Sequence, residues 1–414
     1  MNLSDSLLDA VLQQIHGRTQ DKMRLELVCR RLQLRLKENS LCWCLDTELG
    51  MAFDPKRWQH PVFINGSWFR ISRAADALRV LLDRTTPKYL DICDFPASQE
   101  LLLCELVHEI VAHCHTIKPS VISLRNFDSS QGDHIKNGLP MLLSALTVCD
   151  LSGLLDLTCG HVHGPTDSTT FHKNEDISCG LSPALSMQLS LLCELSCKSL
   201  QHLQIYVRGL SPYILHGLKH CSQLTALHLL FEVDSQFKWP QEKVVALMRI
   251  CNRLPLLQRL CVLHLDKTSP ESTIITDAIR EVLDQNCQSR IQLFATRLAR
   301  GIAAHRRFLM ASFSLFPNLK KLIILSPPSS SLIKKDSGDY HFGNAFLRSL
   351  MDQLYERAPY RLQVSLEDWF TEAEIRQVCH ELSSDQQEEA VEVVLKDKLF
   401  TIKKGQAILE LELS

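Results

Sequence analysis

Apolar residues recur along this chain in two rhythms. At the start they fall at Leu8, Val11, Leu12 and Ile15, one stripe of a 3.6-residue period, which predicts an amphipathic helix. Ser4 or Asp5 can cap it, because a short oxygen-bearing side chain accepts from the unpaired amides of a first turn. Gly17-Arg18-Thr19 interrupts the stripe, and a second one runs through Leu25, Val28, Leu32 and Leu36. Further on, the spacing Leu-x-x-Leu-x-hydrophobic recurs at Leu200/Leu203/Ile205, Leu224/Leu227/Leu229, Leu260/Leu263/Leu265 and Leu319/Leu322/Ile324. An apolar or small residue precedes each by three places, as Cys197, Cys221, Leu257 and Phe316. Weaker echoes lie at 89–93, 121–124, 154–157 and 362–366, and Leu409, Leu411 and Leu413 alternate with Glu410 and Glu412 in a strand period. Helical spacing predicts helices over 73–83, 99–115, 241–253, 273–286 and 343–357.

Short strands separated by helices predict an α/β fold in which no single strand–helix unit buries its own apolar face, so that the units must stack. The chain then divides into a helical module at 1–48, a connecting segment at 49–85 and a repeat domain at 86–414. Two or three short helices bury too little surface to be stable alone, so the first module should dock on something else. Polar loops are expected at 127–139, 160–182 and 326–342.

The opening module resembles the F-box. The matching positions are Leu3, Asp5, Leu7, Leu8, Val11, Leu12, Ile15, Leu25, Val28, Cys29, Arg30 and Trp43, with Ser4 where that family usually has Pro and Leu32 where it often has an aromatic residue. The repeats resemble leucine-rich repeats of the ribonuclease-inhibitor type, irregular in length, at intervals of about 24 to 60 residues. Together the two parts are similar to F-box proteins that carry leucine-rich repeats. That resemblance implies a helical F-box followed by an irregular solenoid. It also implies that Leu3, Leu7, Leu8, Val11, Leu12, Ile15, Leu25, Val28, Cys29, Leu32 and Trp43 contact a ligase adaptor bound to a cullin scaffold. A parallel α/β fold of another kind is the alternative, since buried parallel strands also read as apolar runs. No glycine-rich nucleotide loop follows any strand.

Charge narrows the partners. Lys and Arg total 45 against 47 Asp and Glu, a net charge of -2, which argues against a general nucleic-acid binder. No apolar run is long enough to predict a membrane span, and the N-terminus does not read as a secretory signal. With 16 cysteines and no such signal, reduced thiols in the cytoplasm or nucleus are expected.

Catalytic patterns are approached in the chain but not completed. His108-Glu109 and His113 imitate a zinc-protease helix, but the second His stands five residues on rather than four. At about 100° per residue it leaves the face of His108, and His115 is two turns away. Cys159, His161, His163, His172 and Cys179 have ligand chemistry but no established zinc spacing, and the chain has no Cys-x-x-Cys. No nucleophile elbow or phosphate-binding loop is present. No cofactor is called for.

A binding role follows. If the repeats register as written, Asp91, Ser123, Arg125, Asp156, Gln204, Tyr206, His228, His264 and Asp266 share the strand face away from the Leu positions. Of these, Arg125, Gln204, Tyr206, His228, His264 and Asp266 are the substrate-binding candidates, with Tyr206 and Arg125 first because interface hot spots favour Tyr and Arg. The expectation is a non-catalytic, substrate-recognition subunit of a cullin-RING ubiquitin ligase. A repeat scaffold or inhibitor that does not bind the adaptor is a second reading, and a metal-dependent hydrolase built on the 159–179 loop a third.

Overall fold

In the computed structural model the described residues are 48–65, 67–93, 95, 99–125, 138–160, 183–207, 211–233, 241–266, 274–283, 289–297, 302–325, 350–351, 361–367, 376–377, 380, 391–396, 399–404 and 406–412. The chain forms two compact units, one from Met1–Val162 and Ile177–Leu203, the other from His163–Asp176 and Gln204–Ser414. The residues of the F-box-like module before 48 lie outside the described residues.

In the first unit the sheet order is β3-β2-β1-β4-β5-β6, with β1 Glu48–Phe53, β2 Val62–Ile64, β3 Ser67–Phe69, β4 Tyr89–Cys93, β5 Val121–Arg125 and β6 Asp156–Gly160. Strands β1, β4, β5 and β6 run parallel, while β2 and β3 form an antiparallel hairpin on β1. Residues 49–85, expected as a connecting segment, thus supply three strands and a helix to this unit. Asn65 turns the hairpin at φ 41, a left-handed conformation that Asn tolerates better than most residues. Its Oδ1 accepts from the Gly50 N–H at 2.8 Å and its N–H donates to the Gly50 carbonyl at 3.0 Å, which ties the turn to β1.

The connecting helices are α1 Ile71–Leu82, α2 Glu100–Ala112, α3 Gly138–Leu146 and α4 Pro183–Leu195. Along α1, Ala74, Ala77, Leu78, Leu81 and Leu82 are buried, the i, i+3, i+4 pattern of a helix with one face on a sheet. Each helix packs on the next, α1 on α2, α2 on α3 and α3 on α4.

The second unit repeats this logic. Its sheet order is β8-β9-β10-β11-β12-β15-β14-β13, with β8 Ala226–Val233, β9 Arg259–Asp266, β10 Leu293–Arg297, β11 Lys321–Leu325, β12 Arg361–Glu367, β13 Val391–Lys396, β14 Leu399–Lys404 and β15 Ala407–Glu412. β8 to β12 and β15 are parallel, and β13–β14–β15 is an antiparallel meander. Its helices are α5 Pro212–His220, α6 Gln241–Arg253, α7 Ile274–Leu283 and α8 Ile302–Leu315, again packed in sequence order. Phe294 on β10 meets Phe308 of α8 at 6.1 Å and Phe316 at 4.9 Å between ring centres, and all three are buried. β7, His202–Val207, spans the division between the units in sequence.

Two features make the units regular. Matching residues of successive strands line up in buried rows: Leu49, Leu90, Ile122 and Leu157 in the first unit, and Leu227, Leu260, Phe294, Leu322 and Val364 in the second. At the starts of β5 to β7 and β9 to β11, one carbonyl accepts from two consecutive amides of the next strand. Lys88 accepts from Ser120 at 2.7 Å and Val121 at 3.0 Å, and Ser120 from Leu155 at 2.8 Å and Asp156 at 3.1 Å. The step recurs at Leu155, Thr225, Gln258 and Gln292. Just upstream, a turn closes from Cys221 to Leu224, from Leu254 to Leu257 and from Phe316 to Leu319, which explains the apolar residue three places before each Leu.

The third repeat is displaced from its expected register. Leu227 pairs with Leu260 and Leu229 with Val262, whereas Leu263 lies opposite Leu230 and His264 opposite Phe231. The true repeat is Leu257-x-x-Leu260-x-Val262, three residues earlier than expected, all three side chains buried. The ambiguity is chemical: apolar residues at both 260 and 263 satisfy the same spacing.

Connections from helix to strand, such as 83–88, 221–225 and 316–320, are short, while those from strand to helix include 126–137 and 161–182. All three expected polar loops follow strands, and they fall almost wholly outside the described residues.

Truncating Leu260 to Ala should destabilise the protein by about 2–5 kcal/mol, from lost transfer energy plus the cavity left in the row. Gln258→Ala, at an exposed position two residues earlier, should cost under about 0.5 kcal/mol. Denaturant unfolding of both variants checks the register; equal losses would contradict it.

Candidate functional site

The strand face opposite the Leu rows differs between the units. In the first, the central row is Gly50, Asp91, Ser123 and Thr158 on β1, β4, β5 and β6. Arg125 sits one diagonal step from Asp91 and donates to both its carboxylate oxygens, through Nε at 3.1 Å and through Nη2. Such a two-pronged match of planar groups fixes both side chains. Asp156 pairs with His202 at 3.5 Å. Burial raises the Asp156 pKa, and His202 and Thr158 pull it back down. This face holds the Asp91–Arg125 ion pair and the Asp156–His202 pair beside the buried hydroxyls of Ser123 and Thr158.

In the second unit the corresponding row is His228, Cys261, Ala295 and Ile323. Cys261, Ala295 and Ile323 form a buried apolar cluster with Leu230 and Leu293 packed against it. The expectation of an open, polar surface here is therefore corrected on β9 to β11. The register places Cys261, and not His264, beside His228, and both sides of the sheet are covered along this row. His228 itself is half-buried, as is Gln204 on β7. The backbones of Tyr206, His264 and Asp266 lie in β7 and β9, but their side chains are outside the described residues.

Below that row, at the starts of β9 to β12, a groove of about 410 Å³ opens between the same connections that carry the repeating carbonyl step. Gln258, Arg290, Gln292, Asn318, Lys320 and Arg361 line it. Arg290 donates to the Pro255 carbonyl at 2.9 Å, Asn318 to the Ser289 carbonyl at 3.3 Å, and Arg361 to Glu410 on β15 at 2.5 Å. The hydrogen bond to Glu410 raises the Arg361 pKa further. None of these six was singled out in the sequence. Their common signal, a polar or basic residue within a step or two of each strand start, becomes visible only once the register is known.

The metal-ligand candidates separate. Cys159 lies in β6 in register with Leu124, fully buried, and burial pushes its thiol up to about 12. A thiol so placed packs as a small apolar group. His161, His163, His172 and Cys179 lie outside the described residues, and among the described residues no three His, Cys, Asp or Glu are grouped as metal ligands. On α2, His108 is exposed, while His113 turns to the end of α1. Its Nδ1 lies 2.8 Å from the Glu109 carbonyl and its Nε2 3.0 Å from the Asp83 carboxylate.

Among the described residues no helix is long and apolar enough to cross a membrane. No protein-family model matches the chain, and none of the curated proteins searched matches it.

Two measurements follow. Desolvation lowers the His113 pKa, but the Glu109 carbonyl and the Asp83 carboxylate outweigh it and raise the folded-state value above 6.5. Both neighbours are acceptors, so only the doubly protonated ring satisfies both. Its contribution to stability is complete below the unfolded value and is lost as pH rises through the folded one. Thermal unfolding across pH 5–8 should show that loss in the wild type and not in His113→Gln. For the thiols, Cys159, Cys251 and Cys149 are all raised to about 12 by burial, Cys149 also by the neighbouring Cys114. At pH 8 only about one in 10⁴ of each is thiolate, so iodoacetamide should label them only after denaturation, as read by mass spectrometry.

Proposed function

We propose that this protein is the substrate-recognition subunit of a cullin-RING ubiquitin ligase, with an F-box-like module at 1–48 that docks on the ligase adaptor and an irregular leucine-rich-repeat solenoid that holds the substrate. The observation that carries the reading is the ordered apolar spacing from Leu3 to Trp43 placed directly before stacked strand–helix units. The parallel strands in buried rows and the helices packed in sequence order support the solenoid part. The polar pairs Asp91–Arg125 and Asp156–His202 offer the first unit's strand face to a protein partner.

The chemistry is proximity. A bound substrate is held near a charged ubiquitin-conjugating enzyme, which raises its effective concentration without any catalytic group on this chain. Ser4 and Leu32, the two departures from the F-box pattern, favour one second reading, a repeat scaffold that has lost the adaptor contact.

Affinity purification from cells should recover the adaptor and a cullin with the full chain. Deleting residues 1–47 should abolish that recovery while leaving the remaining chain soluble. Leu8→Asp should weaken the complex strongly, since a fully buried Leu contributes about 1.5–3 kcal/mol, and Gln13→Ala only slightly. Adaptor recovered undiminished after the deletion would sink the assignment in favour of the scaffold.

A further inference from the structure

We infer that the groove at the starts of β9 to β12 binds an acidic segment of a partner protein, with side-chain carboxylates on Arg290, Lys320 and Arg361. The site belongs to the second unit alone, and the inference goes beyond the ligase reading because it does not depend on residues 1–48.

Four observations point to this ligand. The first is charge. Three cations line one groove of about 410 Å³ in a chain whose net charge is -2, so the groove is a local reversal of the chain's overall balance. Glu410, paired with Arg361, is the carboxylate seen against it, and among the described residues Lys320 has no ion-pair partner. The second is preorganisation. Arg290 is anchored by one Nη on the Pro255 carbonyl, and a guanidinium has five N–H donors, so anchoring leaves others for a ligand. Arg361 is likewise steadied by Glu410. A carboxylate arriving here meets groups whose side-chain entropy is already partly spent.

The third is the polar remainder of the wall. Gln258, Gln292 and Asn318 carry amides that both donate and accept, which matches the alternating N–H and C=O of a peptide backbone. The fourth is what the lining lacks. Among the described lining residues there is no aromatic ring, the group on which single-stranded nucleic acid stacks. Exposed ion pairs are individually weak, so one small anion is held poorly. Several carboxylates in one extended chain act together, across strand starts that repeat at about 4.8 Å.

Fluorescence anisotropy on the full-length chain tests this, with a labelled 12-residue peptide of alternating Glu and Gly. Binding should appear at 50 mM salt, fall at least tenfold by 300 mM as screening sets in, and be absent for the same peptide with Gln in place of Glu. Lys320→Glu, at an exposed position, should weaken binding at least tenfold with an unchanged melting temperature; Arg290→Gln should weaken it too. Equal affinity for the Glu and Gln peptides, or an unaffected Lys320→Glu variant that remains folded, would overturn the inference. So would binding of a phosphoserine peptide, inorganic phosphate or a single-stranded oligonucleotide in the absence of binding by the Glu peptide.

Discussion

Six parallel steps, into β5 to β7 and β9 to β11, are set where two consecutive amides converge on one carbonyl of the preceding turn. A carbonyl oxygen has two lone pairs, so the step satisfies both donors at normal lengths, as at Lys88, Ser120 and Gln292. Because both amides belong to the first residues of the incoming strand, the strand can neither slide by one residue nor start late without orphaning a donor. A one-residue slip would also exchange the strand's two faces, moving Leu322 off its row and Lys321 into it. Hydrogen bonding and apolar burial thus specify the same register, and neither alone would do so.

That shared register carries different surfaces. In the first unit the row facing away from the Leu positions holds Asp91, Ser123 and Thr158, with Arg125 on Asp91 and His202 beside Asp156 on the same face. In the second it holds Cys261, Ala295 and Ile323, small and apolar enough to be buried. Burial of both faces is the usual condition of parallel strands. The cysteines fit this account. Cys159, Cys251 and Cys261 lie within apolar packing, where a thiol is a small hydrophobe and not a reagent.

Much of the fold was legible in the sequence, and the illegible parts have identifiable causes. Residues 241–253 were readable as a helix because Val244, Val245, Leu247 and Met248 keep one face. α5 is short, and its one legible signal is the helix start Ser211-Pro212, where the Tyr213 N–H donates to the Ser211 hydroxyl. α3 was hidden by Gly138 and Pro140, which read as loop but are tolerated in a first turn. α8 mixes Phe308, Phe313, His305 and paired arginines with little periodicity. At the site, Arg125 and Asp91 were readable as neighbours on one strand face. The groove was not, because its residues share no motif and meet only through the displaced register of β9.

The unequal connections have a consequence for how such a chain changes over generations. The starts of β5 to β7 and β9 to β11 are pinned by the carbonyl step, so the groove rim has little freedom there to gain or lose residues. The connections 126–137 and 161–182 begin at the other ends of β5 and β6. Added length there costs only loop-closure entropy, which grows slowly with loop size. Descendants of one ancestor could therefore exchange segments at those connections and acquire new recognition specificities, while inheriting the pinned strand starts unchanged as a fixed gauge of the repeat.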